Sequence, residues 1–328
     1  MKIAGGNFRF FLRMLCILRV FAAEYPDIWL LRKNNGEQSL PRKSSFQEIT
    51  MTTREKILSL PLTDTQIAFF YLGQEGYILK FRNTYLLIDG YLTDFLDRAP
   101  GRDPRLFRRF PSPLTPEECD FVDFVFCSHR HGDHTDIATI QGIAAVNDHA
   151  VFCIPAAFAE EVAAMGEVSV RPLATDETIR LTDSITVTAI PAAHEELHPT
   201  DGGNYAENGF VFDFAGTRVY HAGDSCVYDG LEERIRGSHV VMLPINGRDY
   251  YRLQRNCIGN MDALEAITLA HHVGASLCIP MHYDLFPHNR VCPANFVNTA
   301  ALYHEEYGAL TPYHLFQPGE GYIFTPGL

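Results

Sequence analysis

Between Cys127 and Asp136 the chain reads CSHRHGDHTD, which sets histidines at 129, 131 and 134 and an aspartate at 133. In an extended or loosely looped segment His129 and His131, two residues apart, point the same way, so both imidazoles reach one ion. Asp133 and His134 continue around the turn and offer more donors than a single tetrahedral ion readily uses. That surplus suggests two ions side by side at roughly 3.5–4 Å, as in binuclear hydrolases. A water held between two cations ionises near neutral pH, its pKa falling from roughly 15.7 toward about 7, and the hydroxide so formed is a nucleophile. The same ions polarise the carbonyl or phosphoryl oxygen under attack. The sequence has no GxSxG elbow, and this chemistry needs no serine or cysteine nucleophile.

The remaining ligands are expected at strand ends. AIPAAH finishes at His194, YHAGDS carries Asp224 and IPMHYD carries His282, each just past an apolar run. If those strands share a sheet direction, one rim collects His129, His131, Asp133, His134, His194, Asp224 and His282. The elements that would deliver them begin near Thr65, with strands expected at 67–73, 77–81, 84–89, 121–128, 151–155, 185–194, 239–245 and 276–284. Residues 209–224 read as a hairpin turned at Ala215 and Gly216. Helical spacing covers 137–147, 156–166 with Gly166 at its end, and 261–274 behind an Asn260 cap. No internal repeat is visible, and the pattern fits two sheets of mixed strands with helices outside.

Composition bounds the partners. The chain has 328 residues, 46% of them apolar, enough for a large core, and a net charge of −13 argues against a nucleic-acid footprint. A small-molecule partner is expected. Residues 1–50 hold eight Lys/Arg against four Asp/Glu, so residues 51–328 carry −17. The apolar stretch 8–23 is broken by Arg13 and Arg19, which suits neither a spanning helix nor a secretory signal, and no stable membrane insertion is expected. It reads as an amphipathic anchor or targeting segment, as a poorly ordered extension, or as translation from an upstream start with Met51 the true one; the last two are favoured. Residues 51–328 are expected to form a single domain. The eight cysteines form no CxxC pair, which points to a reduced, cytoplasmic setting. Oligomeric state is left open, with a homo-oligomer among the options.

HRHGDH matches the HxHxDH signature of the metallo-β-lactamase superfamily, and Asp89, His194, Asp224 and His282 follow in the order of its other motifs, over about 70–325. Within it, YHAGDS and the segment from INGRDYY to IPMHYD resemble the branch of the L-ascorbate-6-phosphate lactonases. The resemblance implies an α/β, four-layered αβ/βα sandwich. It also implies that His129, His131 and His194 hold one ion, that Asp133, His134 and His282 hold a second, and that Asp224 bridges them. Asp89 would orient the ligand loop by hydrogen bonds. His221 is a further candidate for such support, and Asp284 resembles the branch's carboxylate two residues past its last histidine, bracing His282 or sitting near substrate. The ligand set suits Zn²⁺, Mn²⁺ and Fe²⁺; the branch points to Mn²⁺ and the wider superfamily to Zn²⁺.

The expected activity is a lactonase acting on a phosphorylated or otherwise anionic sugar lactone, with Asp133 or a metal-activated water returning a proton to the leaving ring oxygen. Arg248, Arg252 and Arg255, with Tyr250, form a local basic cluster suited to an anionic substrate. Two rivals stand beside this reading: a phosphodiesterase on the same metals, and a metal-binding protein without turnover.

Overall fold

The computed structural model describes residues 51–98, 101, 105–255 and 257–327. The expectations for residues 1–50 lie outside the described residues. Among the described residues thirteen strands form two sheets. The first runs β13-β1-β2-β3-β4-β5-β6 and the second β12-β11-β10-β9-β8-β7. In the first, β1 (Ile67–Gly73), β2 (Gly76–Phe81) and β3 (Thr84–Ile88) form an antiparallel meander, with β13 (Gly321–Phe324) antiparallel on its outer edge. Then β4 (Phe124–Phe126), β5 (Val151–Pro155) and β6 (Val170–Leu173) follow in parallel from β3. In the second sheet β10 (Thr217–His221), β11 (Val240–Pro244) and β12 (Leu277–Met281) are parallel, while β7 (Thr178–Thr182), β8 (Ile185–Pro191) and β9 (Asn208–Phe214) are antiparallel to their neighbours. The helices are α1 (Thr53–Ser59), α2 (Phe95–Arg98), α3 (Ile137–Val146), α4 (Ala159–Gly166), α5 (Leu231–Ile235), α6 (Tyr250–Leu253), α7 (Ala263–His272) and α8 (Pro293–Tyr307).

Strand β1 shows why the layers stack as they do. Its alternate residues Ile67, Phe69 and Tyr71 enter one core, while Ala68, Phe70 and Leu72 enter another. A strand buried on both faces must lie between two layers. On the inner side the sheets meet through aromatic rings, with Phe126 5.3 Å from Phe210 and Phe81 5.4 Å from Phe214. On the outer side of the first sheet Ile140 and Ile143 of α3 and Val162 of α4 pack against Phe152 and Ile154. Ala266 and Ile267 of α7 and Phe296 of α8 join the core with β11 and β12. The result is the four-layered sandwich. Helix α1 is fastened to the first sheet by Lys80, whose buried Nζ donates to the Ile57, Leu58 and Leu60 carbonyls, satisfying groups the helix end leaves open.

Chain direction then fixes where loops can meet. Strands β3 and β4 run parallel, and β8, β10 and β12 also run one way, because β8 and β10 are both antiparallel to β9 and β12 continues from β10 through β11. Backbone bonds sew the two rims together: Asn208 N–H donates to the Ser128 carbonyl at 3.0 Å, and His282 N–H to the Gln74 carbonyl at 2.8 Å. One expectation about the elements needs correction. Helix α7 is capped by Asp262, which accepts from Glu265 N–H in a capping box, and not by Asn260. Asn260 is used elsewhere.

Candidate metal centre

The chain turns sharply where it leaves the ligand-bearing strands. Asp89 just after β3 has φ +45° and His282 just after β12 has φ +59°. A non-glycine residue in the left-handed region costs free energy and persists only where the surroundings impose it. Gly223, at φ +58°, makes the equivalent turn after β10, and a Cβ there would stand 2.8 Å from the Ser128 Cβ. Glycine is what lets the Asp224 loop lie against the HRHGDH loop.

All seven expected ligands converge. His129, His131, His194 and Asp224 form one group whose donor atoms lie within 4.8 Å of one another, and Asp133, His134 and His282 form a second. Asp224 stands between them. Its Oδ2 is 3.6 Å from His194 Nε2 and 4.0 Å from His129 Nε2, while its Oδ1 is 3.3 Å from His282 Nε2 and 3.6 Å from His134 Nε2. One carboxylate therefore offers one oxygen to each group. The Nε2 atoms of His129, His134 and His194 and Oδ1 of Asp224 are buried and have no hydrogen-bond partner. Orphaned buried polar atoms are costly, and here they are all lone-pair donors pointing at one space. The donor set, imidazole nitrogen and carboxylate oxygen, suits divalent-metal binding.

Neighbouring groups hold the rings in the form a metal requires. Asp89 is fully buried and accepts from Ser128 N–H at 2.7 Å, from the Ser128 hydroxyl at 2.6 Å and from His134 Nδ1 at 2.9 Å. Because the Ser128 hydroxyl is spent on Asp89, its oxygen is left to accept from His129 Nδ1, 3.0 Å away. His194 Nδ1 donates to Asn260 Oδ1 at 3.2 Å, and the Asn260 amide donates to Asn246 Oδ1 at 3.1 Å. With Nδ1 carrying the proton, each ring presents its Nε2 lone pair.

Burial pushes the His194 imidazole down to about 4 and His129 well below its usual value, which keeps both neutral and ligand-ready. For His134 burial acts in the same direction, but Asp224, Asp133 and Asp89 outweigh it and the net shift is upward. Asp224 shows the converse: burial would raise it, yet His282, His134 and His194 hold it well below the usual carboxylate range.

Three side chains absent from the sequence-based expectation are built into the same place. Gln74, in the β1–β2 turn, puts its amide nitrogen 3.0 Å from Asp133 Oδ2 and 2.9 Å from His282 Nε2. Glu75 is fully buried, its carboxylate oxygens without a hydrogen-bond partner and 3.8 Å from His134 Nδ1. Burial and the neighbouring Asp224 raise it well above its usual range. Asn260 is the third. A polar Gln-Glu pair interrupting two apolar strands was the available signal, but a tight turn reads the same way.

His221 is buried, its Nε2 donating to the Glu75 carbonyl at 3.0 Å and its Nδ1 accepting from Gly223 N–H at 3.2 Å. Asp284 accepts from the Tyr71 hydroxyl at 2.7 Å and from Gln74 N–H at 3.4 Å, so it supports the turn that carries Gln74. Of the four expected substrate contacts, Arg255 lines the cleft over the ligands and the other three do not. Arg248 forks onto Glu265, with its NH1 2.6 Å from Oε2. Arg252 is buried against Asp249 and Asn289, and Tyr250 is 75% exposed. Those two arginines have local structural partners, which sequence proximity alone could not reveal. The cleft, about 300 Å³, is also lined by Arg105, Leu106, Ile258, Phe286 and His288.

A family model described as the beta-lactamase superfamily domain matches residues 84–283. The chain belongs to the metallo-β-lactamase superfamily. Among its superfamily relatives, a metal-dependent hydrolase of Archaeoglobus fulgidus is 30% identical over 229 residues, covering 68% of this chain and 90% of the relative. Another from Opitutus terrae is 30% identical over 245 residues, covering 70% and 90%. The fold is shared with solved structures: an isothiocyanate hydrolase from Delia radicum gut bacteria (TM-score 0.61, 18% identity, 79% of this chain and 99% of that one) and the metallo hydrolase Igni18 of Ignicoccus hospitalis (TM-score 0.57, 19% identity, 79% and 99%). Among the described residues no helix is long and apolar enough to cross a membrane.

Proposed function

We propose that the chain is a metal-dependent hydrolase with a binuclear centre, acting on a carboxylic ester or lactone that carries an anionic group. The observation that carries this reading is the division of Asp224 between two ligand groups, one oxygen facing each. Its relatives' description as metal-dependent hydrolases supports the same class. Bound divalent ions supply Lewis acidity and an ionised water near neutral pH. The chain's own residues do the rest. Asp89, acting through Ser128 and His134, and Asn260, acting on His194, fix the rings. Arg105 and Arg255 on the cleft wall give an anionic group a place to bind. Asp133, which also lines the cleft, is assigned the proton delivered to the leaving oxygen.

A lactone follows from the resemblance of YHAGDS and IPMHYD to the lactonase branch. The sugar part of that expectation has less support, because Leu96, Leu106, Ile258 and Phe286 line the cleft, and sugar hydroxyls would leave polar groups poorly matched there. The arginines keep a phosphodiesterase as the second reading.

Metal analysis of the purified protein, followed by a panel of lactones, aryl esters and bis-p-nitrophenyl phosphate, tests both. Two equivalents of Zn²⁺ or Mn²⁺ with lactone or ester turnover is the expected result. Efficient cleavage of the phosphodiester with lactones untouched replaces the first reading by the second. Two bound metals and no turnover of any substrate would make the chain a binding protein. Asp133→Asn is expected to slow turnover and to weaken metal binding at the second group; full metal content with full rate would remove its assignment.

A further inference from the structure

Beside the metal cleft lies a second and larger cavity of about 450 Å³, between helices α3 and α4 and the short helix α2. Its walls are mainly hydrocarbon: Phe95, Leu96, Ile137, Phe158, Val162 and Met165 line it. Arg130 and Glu161, 3.3 Å apart, also border it, and the Arg130 guanidinium lies 5.8 Å from the Phe158 ring centroid. Two of its wall residues are solvent-exposed apolar side chains, Phe95 at 47% and Met165 at 56%. Apolar side chains left open around one concavity mark a place where apolar matter binds.

The cavity adjoins the site described above, with Leu96 and Gly132 lining both. Gly132 is the glycine inside HRHGDH, between ligands His131 and Asp133. A Cβ at that position would stand 3.1 Å from Leu96 Cδ2 and 3.7 Å from Phe95 Cε1. The missing side chain lets Leu96 pack directly against the loop that carries the ligands, so the wall between cleft and cavity is thin. A molecule with its scissile group at His131, Asp133 and Asp224 has only the Leu96 side chain between it and the hydrocarbon-lined space.

We infer that this cavity is a substrate subsite for an alkyl or acyl chain, so that the preferred substrate is amphipathic: a lactone or ester group at the metal centre and a hydrocarbon substituent of several carbons between α3 and α4. The inference rests on the hydrolase reading for the position of the scissile group, and the cavity itself can be tested without turnover. Charge fits the same occupant, because Arg105 and Arg255 on the cleft wall suit a carboxylate or phosphate head while the cavity beyond Gly132 offers mostly apolar contact.

The test uses the metal-loaded full chain and its Ala138→Trp variant. Ala138 is exposed on α3 and lines the cavity without touching the ligand groups, so the indole fills the space and leaves the fold alone, which an unchanged unfolding midpoint would verify. In the parent protein kcat/KM is expected to rise along a series from γ-butyrolactone to γ-decalactone, by roughly fourfold for each methylene that becomes buried. The variant should retain γ-butyrolactone turnover and lose the rise. Calorimetric titration with decanoate and with acetate gives the second arm: decanoate should bind the parent, and bind Ala138→Trp at least tenfold more weakly, with acetate indifferent to the change. Short lactones turned over with no dependence on chain length would overturn the subsite and leave the hydrolase intact. If no lactone reacts, the reaction class fails, and decanoate still decides the cavity: equal binding to parent and variant, or no binding, overturns it.

Discussion

Asp224 and Asp89 carry the same carboxylate and use it in opposite ways. Asp224 leaves an oxygen without a protein partner beside four imidazoles, whereas Asp89 spends both oxygens on Ser128 and His134. Substituting Asp89 by alanine should therefore spare the overall fold and loosen the rings of His129 and His134 together. Supporting hydrogen bonds of this kind are worth about 10–100-fold in metal affinity, and a chelator-competition titration of Asp89→Ala should show a loss in that range; an unchanged affinity would show that packing alone orients the rings. The seven converging side chains were legible in the sequence because histidine and aspartate just past apolar strands have few other uses. Gln74, Glu75 and Asn260 were not. Gln74 acquires its role from partners 59 and 208 positions away, and Asn260 resembles an ordinary helix cap until His194 is brought beside it from 66 positions away.

The strand ends set the precision of the centre. Leaving β3, β10 and β12 the chain turns in the left-handed region at Asp89, Gly223 and His282, which aims three side chains across the rim at the point where each strand stops. Gly223→Ala tests the closest of these approaches. The added methyl would meet the Ser128 Cβ at 2.8 Å and the Asn208 carbonyl at 3.0 Å, and the left-handed backbone adds strain of about 1–3 kcal/mol. Urea unfolding should register a loss of that order, and metal titration should show weakened binding because Asp224 is the next residue; a variant with both properties unchanged would contradict the close packing of these loops.

At this scale the sequence was readable where patterns were strong. The hairpin of β9 and β10 turns at Ala215 and Gly216 as expected. Helix α8 was missed because only Phe296, Ala300 and Tyr303 of its fifteen residues are buried, too thin an apolar stripe to stand out. Strand β6 was missed because VRPL is short, carries a proline and is largely open to solvent.

For the whole molecule, the centre is where the two sheets are joined at their rim. His129, His131, Asp133 and His134 come from the first sheet, and His194, Asp224 and His282 from the second. Ions bound there would hold one layer to the other, so chelation should cost stability as well as activity. A ligand present at a thousand times its Kd contributes about 4 kcal/mol to the folded state, and the melting temperature of the metal-loaded protein should fall by several degrees in excess EDTA. The gap between loaded and stripped protein should shrink as the pH is taken from 7 to 5, because protons compete with metal for imidazole nitrogen. Equal melting curves with and without EDTA would mean that the ions contribute nothing to cohesion. Chain order gives the ligands but not their meeting, which depends on β8, β10 and β12 pointing the same way.

A side chain that divides itself between two neighbours has no close chemical substitute. Asparagine at position 224 would present one oxygen and, in place of the other, a nitrogen whose hydrogens repel what the oxygen would attract. Glutamate would carry both oxygens one carbon further over the opening. On the binuclear reading, neutralisation at position 224 would leave one half of the centre unserved, and lengthening would carry both oxygens away from the places the aspartate gives them.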